Sequence, residues 1–337
     1  MRRKGLIWLL LLVSAFGCVR PEMPDATLLI EFETGALQTK SAGDTDGSSI
    51  AFNDDKPDLI ILVADSNGDI VRKYNGLANA QVNCHVQGEA TGTRVSVSFE
   101  NLTGSQTYTV YAFANTQGLW TMKNGENTVT DLTALSSSDD VENLLFEPAQ
   151  ANLAVESRLP LSAKGRVTLR EGGNGELHLS LLRCCAKVTA IFENQYGENL
   201  TLNNFSSTFV NMCPAKGYVI PHENDFAVAP VADATDDLIS TEAESVTIQN
   251  GNRFEKSWYV FPSLGPYTCD VSFNLLGTPH SYSQLPVHDD HARNITQIAR
   301  NQHLTITTRI GKGKKVSFYF EVADWNTSNK TETVTFE

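Results

Sequence analysis

The chain has 337 residues, of which 41% are apolar and 19% charged, with a formal net charge of −13. That balance is normal for a globular protein with a sizeable buried core, and the length has room for two domains of ordinary size. The acidity argues against nucleic acid as a partner and against adhesion to anionic membranes through basic patches.

The N-terminus carries the most specific signal. Arg2, Arg3 and Lys4 form a basic head, Leu6 to Val13 is an unbroken apolar run, and small residues lead to Cys18. The run is too short to span a bilayer permanently and reads as a secretory signal over residues 1–17. The cysteine stands directly after the expected cut, as in a bacterial lipoprotein precursor. Cys18 is therefore the expected lipidation site, heading a tether over residues 18–26 and holding the protein to a membrane through its acyl chains. Without the basic head the formal charge falls to −16.

Beyond the tether the chain reads as short strands. Thr27 to Phe32 is strand-like, and Gly35 to Pro57 is a long polar loop rich in Gly, Ser, Asp and Thr. Leu59 to Ala64 and Ile70 to Tyr74, joined through Asn67-Gly68, predict a β-hairpin. Alternation follows at Val95–Phe99 and Tyr108–Phe113. Leu132 to Phe146 is the one stretch that reads as helical, with irregular spacing that suits a short helix or two. Arg166–Leu169 and Glu176–Leu181, flanking Gly172 to Gly175, predict a second hairpin.

From Ala186 the strand pattern restarts at Val188–Phe192. It runs through Leu200–Leu202, Phe209–Val210, Trp258–Phe261, Cys269–Phe273 and Leu304–Ile306 to Val316–Val322 and Val334–Phe336. Strands at this density, separated by turn residues, describe an all-β chain of two sandwiches in tandem, over residues 27–180 and 181–337. No close internal sequence repeat accompanies them.

Six cysteines are present, and a lipidated Cys18 leaves the odd number of Cys84, Cys184, Cys185, Cys213 and Cys269. At least one is then unpaired within a monomer. Buried thiols are expected, with a single disulfide involving Cys213 or Cys269 as the alternative. Cys184 and Cys185, as neighbours in a strand, would face opposite ways and make a poor metal pair. His288-Asp289-Asp290-His291 resembles a metal site by residue type, yet four consecutive extended residues do not converge on one ion, and the segment reads as a solvated loop. No hydrolase elbow, zinc, calcium-loop or phosphate-loop motif is present. The expectation is a non-enzymatic protein without cofactor, metal or catalytic residues.

Four stretches carry a family resemblance. They are the leader ending at Cys18; Tyr108–Asn115 together with Leu159–Gly165; the junction Leu181–Val188; and Arg300–Ile306 together with Phe320–Asn326. In these the chain resembles the Bacteroidetes fimbrillin superfamily and, more narrowly, its anchoring subunits of major and minor fimbriae. The resemblance implies two transthyretin-like Greek-key β-sandwiches and assembly by donor-strand exchange, in which one subunit supplies a strand that fills a groove in the next. It also implies that shaft subunits first lose their initial strand, often by a cut after an arginine. Here no arginine lies between Thr27–Phe32 and Leu59; Lys40 and Lys56 are the basic residues of that loop, with Arg20 before it and Arg72 after.

The resulting expectation is an outer-membrane, surface-exposed anchor at the base of a fimbrium, partnered with a shaft subunit. Val316, Phe318, Phe320, Val322, Trp325, Val334 and Phe336 are the expected subunit-contact residues. The competing readings are a polymerising shaft or tip subunit, trimmed near Lys40, and a lipid-anchored glycan-binding surface protein.

Overall fold

The computed structural model describes residues 25–34, 52–53, 56–78, 84–89, 92–116, 120–148, 159–214, 216–220, 235–242, 245–289, 291–324 and 334–335. The fold is all-β. In the first half the elements are β1 (Asp25–Thr34), β2 (Leu59–Ala64), β3 (Ile70–Asn75), β4 (Cys84–Glu89), β5 (Gly92–Thr103), β6 (Thr107–Ala114), β7 (Trp120–Asn124) and β8 (Asn127–Val129). They continue with α1 (Ser138–Glu142), β9 (Leu144–Pro148), β10 (Leu161–Thr168), β11 (Asn174–Leu179) and β12 (Leu182–Arg183).

One sheet has the order β11-β1-β5-β4 and a second the order β12-β10-β6-β2-β3. Their inner faces share one core, in which Leu28, Ile30, Phe32, Val95 and Val97 meet Leu59, Ile61, Val63, Val110 and Ala112. The expected β2–β3 hairpin is present. Its turn is held by Asp65, whose Oδ1 accepts from the backbone N–H groups of Asn67 (2.8 Å) and Asp69 (3.1 Å), and Gly68 supplies the positive φ of 88°.

The second expected hairpin is not one. β10 pairs antiparallel with β6, whereas β11 runs parallel to β1 in the other sheet, so the turn at Gly172–Gly173 carries the chain across the sandwich. Glycines make the crossing possible. A Cβ on Gly165 would lie 2.5 Å from Leu179 Cδ2, and one on Gly175 would lie 2.2 Å from Leu169 Cδ2. The two strands thus pack leucines over bare backbone, face to face rather than side by side.

The helical expectation holds only in the middle of its stretch. Leu132–Ala134 is a 3₁₀ turn, α1 has five residues, and Leu144 onward is a strand that pairs with β7. So short a helix does not stand alone. Ser137 caps it through Asp140 N (3.1 Å), and Glu142 fastens it to the sheet through Tyr111 Oη (2.5 Å) and Lys164 Nζ (2.8 Å). Burial, then the hydrogen bond to Glu142, pushes the Tyr111 phenol well above its usual range.

The second half contains β13 (Ala186–Gln195), β14 (Leu200–Pro214), β15 (Gly217–Tyr218), β16 (Thr235–Glu242), β17 (Val246–Ile248), β18 (Arg253–Val260) and β19 (Thr268–Leu275). It ends with β20 (Thr278–Pro286), β21 (Gln302–Gly311), β22 (Val316–Asp324) and β23 (Val334–Thr335). Its sheets run β18-β13-β21-β22-β23 and β16-β14-β19-β20, with β17 also on β14. The core between them is rich in phenylalanine, with Phe192 edge-on to Phe205 at 4.5 Å.

A structural repeat appears that the residues do not announce. β1 lies between a parallel neighbour (β11) and an antiparallel one (β5). β13, the opening strand of the second half, likewise lies between parallel β21 and antiparallel β18.

A third core joins the halves. Leu62, Tyr111 and Phe113 from the outer face of the β2–β6 sheet meet Phe146, Cys184, Cys185, Val219 and Phe261. β2 is consequently buried on both faces, which is why Leu59-Ile60-Ile61-Leu62-Val63-Ala64 is apolar without alternation. A small sheet of order β8-β7-β9-β15 carries the chain of the second half back onto the first. There a Cβ on Gly217 would sit 2.7 Å from Phe261 Cδ1, beside the Phe146–Phe261 ring pair. Gly217→Val should cost about 1–3 kcal/mol through overpacking, read as a lowered urea midpoint at unchanged slope.

Candidate functional site

In a chain without catalytic motifs, the places that matter are sheet edges, strand seats and the joint between the halves. The seat of β1 comes first. Ala26, Leu28, Ile30 and Phe32 point into the core and are at most 2% exposed, while Thr27, Leu29 and Glu31 face outward at half burial. The strand is hydrogen-bonded on both sides, from Asp25↔Thr103 to Thr34↔Thr93 along β5 and from Thr27↔Asn174 to Phe32↔Leu179 along β11. Taking it away would uncover two unpaired ladders and an apolar trough between them.

The C-terminal edge is the second place. Val316, Phe318 and Phe320 are buried among the core aromatics of the second half, and Val322 packs against them half-buried. Their side chains are therefore committed inward, and what β22 can offer a partner is its hydrogen-bonding edge. Among the described residues that edge is paired only at Ser317↔Thr335 and Phe318↔Val334. The side chain of Val334 and the residues Cys18, Trp325 and Phe336 lie outside the described parts of the structure.

The joint between the halves is the third, and its key residue escaped sequence reasoning. Arg300 is 7% exposed, and its guanidinium donates to backbone carbonyls from both halves. Nε reaches Arg183 O (3.0 Å), while Nη2 reaches Leu182 O (2.5 Å), Ser162 O (3.1 Å) and Ser162 Oγ (3.0 Å). Nη1 approaches Val219 O at 3.5 Å. Beside it, Arg183 Nη1 donates to Asn301 Oδ1 (2.8 Å), and Asn301 N donates to Cys185 O (2.8 Å). Three stretches noted for family resemblance, Leu159–Gly165, Leu181–Val188 and Arg300–Ile306, thus converge on the buried Arg300. The rigid fork of an arginine suits several carbonyls at once.

Cys184 and Cys185 sit in the bend between β12 and β13, not on opposite faces of a strand, and both are fully buried in the joint. Cys269 is a free buried thiol on β19. Burial raises all three thiols, Cys269 to about 12, so the reactive thiolate is scarce. Native protein at about pH 8 should leave Cys184, Cys185 and Cys269 unlabelled by iodoacetamide, and denaturant should expose them, as peptide mass mapping would show. The side chains of Cys84 and Cys213 lie outside the described residues.

The His288–His291 segment makes a closed turn. Asp289 Oδ1 accepts from His291 N and Arg293 N (2.9 Å each), and Oδ2 accepts from Arg293 Nε (2.8 Å), which holds the carboxyl down to about 2. His288 turns inward against the Phe320 ring, and Asp290 is not among the described residues. Trp258 is likewise buried, edge-on to Phe209 at 5.8 Å. No helix among the described residues is long and apolar enough to cross a membrane.

No protein-family model and no curated protein matches the chain. Solved structures do. A fimbrial assembly protein from Parabacteroides distasonis is 16% identical, with a TM-score of 0.50 over 89% of this chain and 97% of that one. A candidate cell adhesion protein from Bacteroides eggerthii is 15% identical, with a TM-score of 0.52 over 92% and 98%. A fimbrilin from Porphyromonas gingivalis is 12% identical, with a TM-score of 0.50 over 90% and 99%. By these likenesses, which extend over most of its length, the chain has the fold of the fimbrillin-like proteins of Bacteroidetes.

Proposed function

We propose that the protein is a non-enzymatic fimbrial subunit of the cell surface, lipid-anchored in the outer membrane at Cys18, that forms the base of a fimbrium. The observation that carries this reading is the seating of β1. The strand fills the centre of its sheet, and the loop between it and β2 contains no arginine at which an arginine-specific protease could release it. A subunit that keeps its first strand has no open groove in the first half, so it does not accept a donor there. It can still offer an edge to the first shaft subunit, and the backbone of β22 is the edge we assign to that contact. The fold shared with fimbrial proteins supports the role, and the burial of Trp258 disfavours a sugar-binding platform built on that residue.

Two measurements test it. Cys18→Ala should move the protein from the membrane fraction to the soluble fraction, and continued sedimentation with membranes would count against lipid anchoring. N-terminal sequencing of the surface form should begin at Cys18. A start just after Lys40 would remove β1 and make the chain a polymerising shaft or tip subunit instead.

A further inference from the structure

Glu31 on β1 and Glu176 and His178 on β11 meet on the outer face of the sheet, astride its one parallel seam. Their ligand atoms all lie within 4.8 Å of one another. His178 Nδ1 is 3.2 Å from Glu31 Oε2, and His178 Nε2 is 3.0 Å from Glu176 Oε1. The placement follows from register: Glu31 is paired with His178, and Glu176 stands two residues before it on the same face. A neutral imidazole has one N–H, so one of its nitrogens turns a lone pair toward a carboxylate. The two carboxylates flank the imidazole, one at each ring nitrogen, and each of the three residues brings a ligand atom within 4.8 Å of the others. Glu31, with 16% of its side chain exposed, is the most sheltered of the three.

We propose that Glu31, Glu176 and His178 form a divalent transition-metal site of the zinc class that fastens the first strand to β11. One nitrogen and two carboxylate oxygens are a donor set that zinc accepts, with water completing the tetrahedron. Tetrahedral ligands about 2.0–2.1 Å from an ion lie roughly 3.3 Å apart, so the three side chains, whose ligand atoms already lie within 4.8 Å of one another, close on an ion by small side-chain rotations that turn one ring nitrogen toward both carboxylates. An ion held by Glu31 on β1 and by Glu176 and His178 on β11 would bridge the seam. Because the ion bridges β1 to its neighbour, it would stabilise the seated strand against exchange. The inference rests on this geometry and not on the role proposed above.

Isothermal titration of the full chain with Zn²⁺ tests it. One equivalent should bind, and His178→Asn and Glu31→Gln should each weaken binding by at least about tenfold. His178 is exposed, so its variant keeps the fold, which circular dichroism would verify. Zn²⁺ should raise the melting temperature of the wild type and slow amide exchange in 25–34, with neither effect in His178→Asn. Absence of saturable binding, or binding that both variants retain unchanged, would overturn the site. Neither result bears on Cys18 or on the fate of the first strand in the cell.

Discussion

Phe32→Ala lowers the unfolding free energy by about 3–5 kcal/mol, because it empties a fully enclosed site at the centre of a sandwich. Phe32 lies on the strand that both β11 and β5 clasp, so nothing can collapse into the space without breaking a ladder. The effect should appear in urea unfolding as a lowered midpoint. Hydrogen exchange should speed up first in β1, β11 and the β5 strand beside them. The second half, which has its own aromatic core, should keep its protection unless the joint fails as well. A loss below about 1 kcal/mol would mean that β1 is a lightly held cover and not a structural strand. The distinction bears on the proposed assembly: a strand worth several kcal/mol in place would not leave its seat spontaneously.

Arg300→Met should cost about 2–4 kcal/mol and loosen the two halves from each other. The variant keeps most of the apolar stem but withdraws the donors that now serve Leu182 O, Arg183 O, Ser162 O and Ser162 Oγ. Buried acceptors left without a donor carry the penalty, more than the loss of any attraction. Since the joint also contains Phe146, Phe261, Cys184 and Cys185, the wild type should unfold in one calorimetric transition. The variant should show two, or one broadened transition with reduced apparent cooperativity. Arg300→Lys should recover little, because a single ammonium cannot span carbonyls that now receive two guanidinium edges. A variant that melts like the wild type would show that apolar packing alone holds the joint. In the fimbrial role proposed above, a stiff joint would carry pull from one half to the other without bending.

Much of the fold was legible from local pattern. Alternation in Thr27–Phe32 and Val188–Phe192 marked strands with one buried face, and the Asn67-Gly68 turn marked a true hairpin, because both signals come from neighbouring residues. The misreadings have a common cause. Around Gly172 to Gly175 the turn chemistry was right, but whether a turn returns the chain within a sheet or across to the next depends on what lies opposite. Here it is Leu179 over Gly165. In Leu132–Phe146 the leucines were spaced irregularly because three kinds of element share the stretch, and β9 is a strand only because β7 and β15 flank it.

Val316, Phe318 and Phe320, expected at a subunit contact, have their side chains in the core of the second half, since in an alternating strand the apolar set turns inward whenever a facing sheet exists. Arg300 and the Glu31–Glu176–His178 group gave no signal, since their partners stand far away in the chain. The one available hint was indirect, in that the stretches carrying the family resemblance are those that meet at Arg300.

By itself, the sequence determined the all-β class, the strand positions with one buried face and the absence of arginine after the first strand. Those are properties of neighbouring residues, and period-two alternation or a turn dipeptide is enough to express them. Only the tertiary structure decided that β1 is a central strand with a parallel neighbour and that each half repeats this arrangement. It also decided that Arg300, with Arg183 beside it, bridges the halves, and that two carboxylates and an imidazole meet across the first strand's seam. Pairing between strands distant in sequence depends on which apolar faces find each other, and no local pattern encodes that choice.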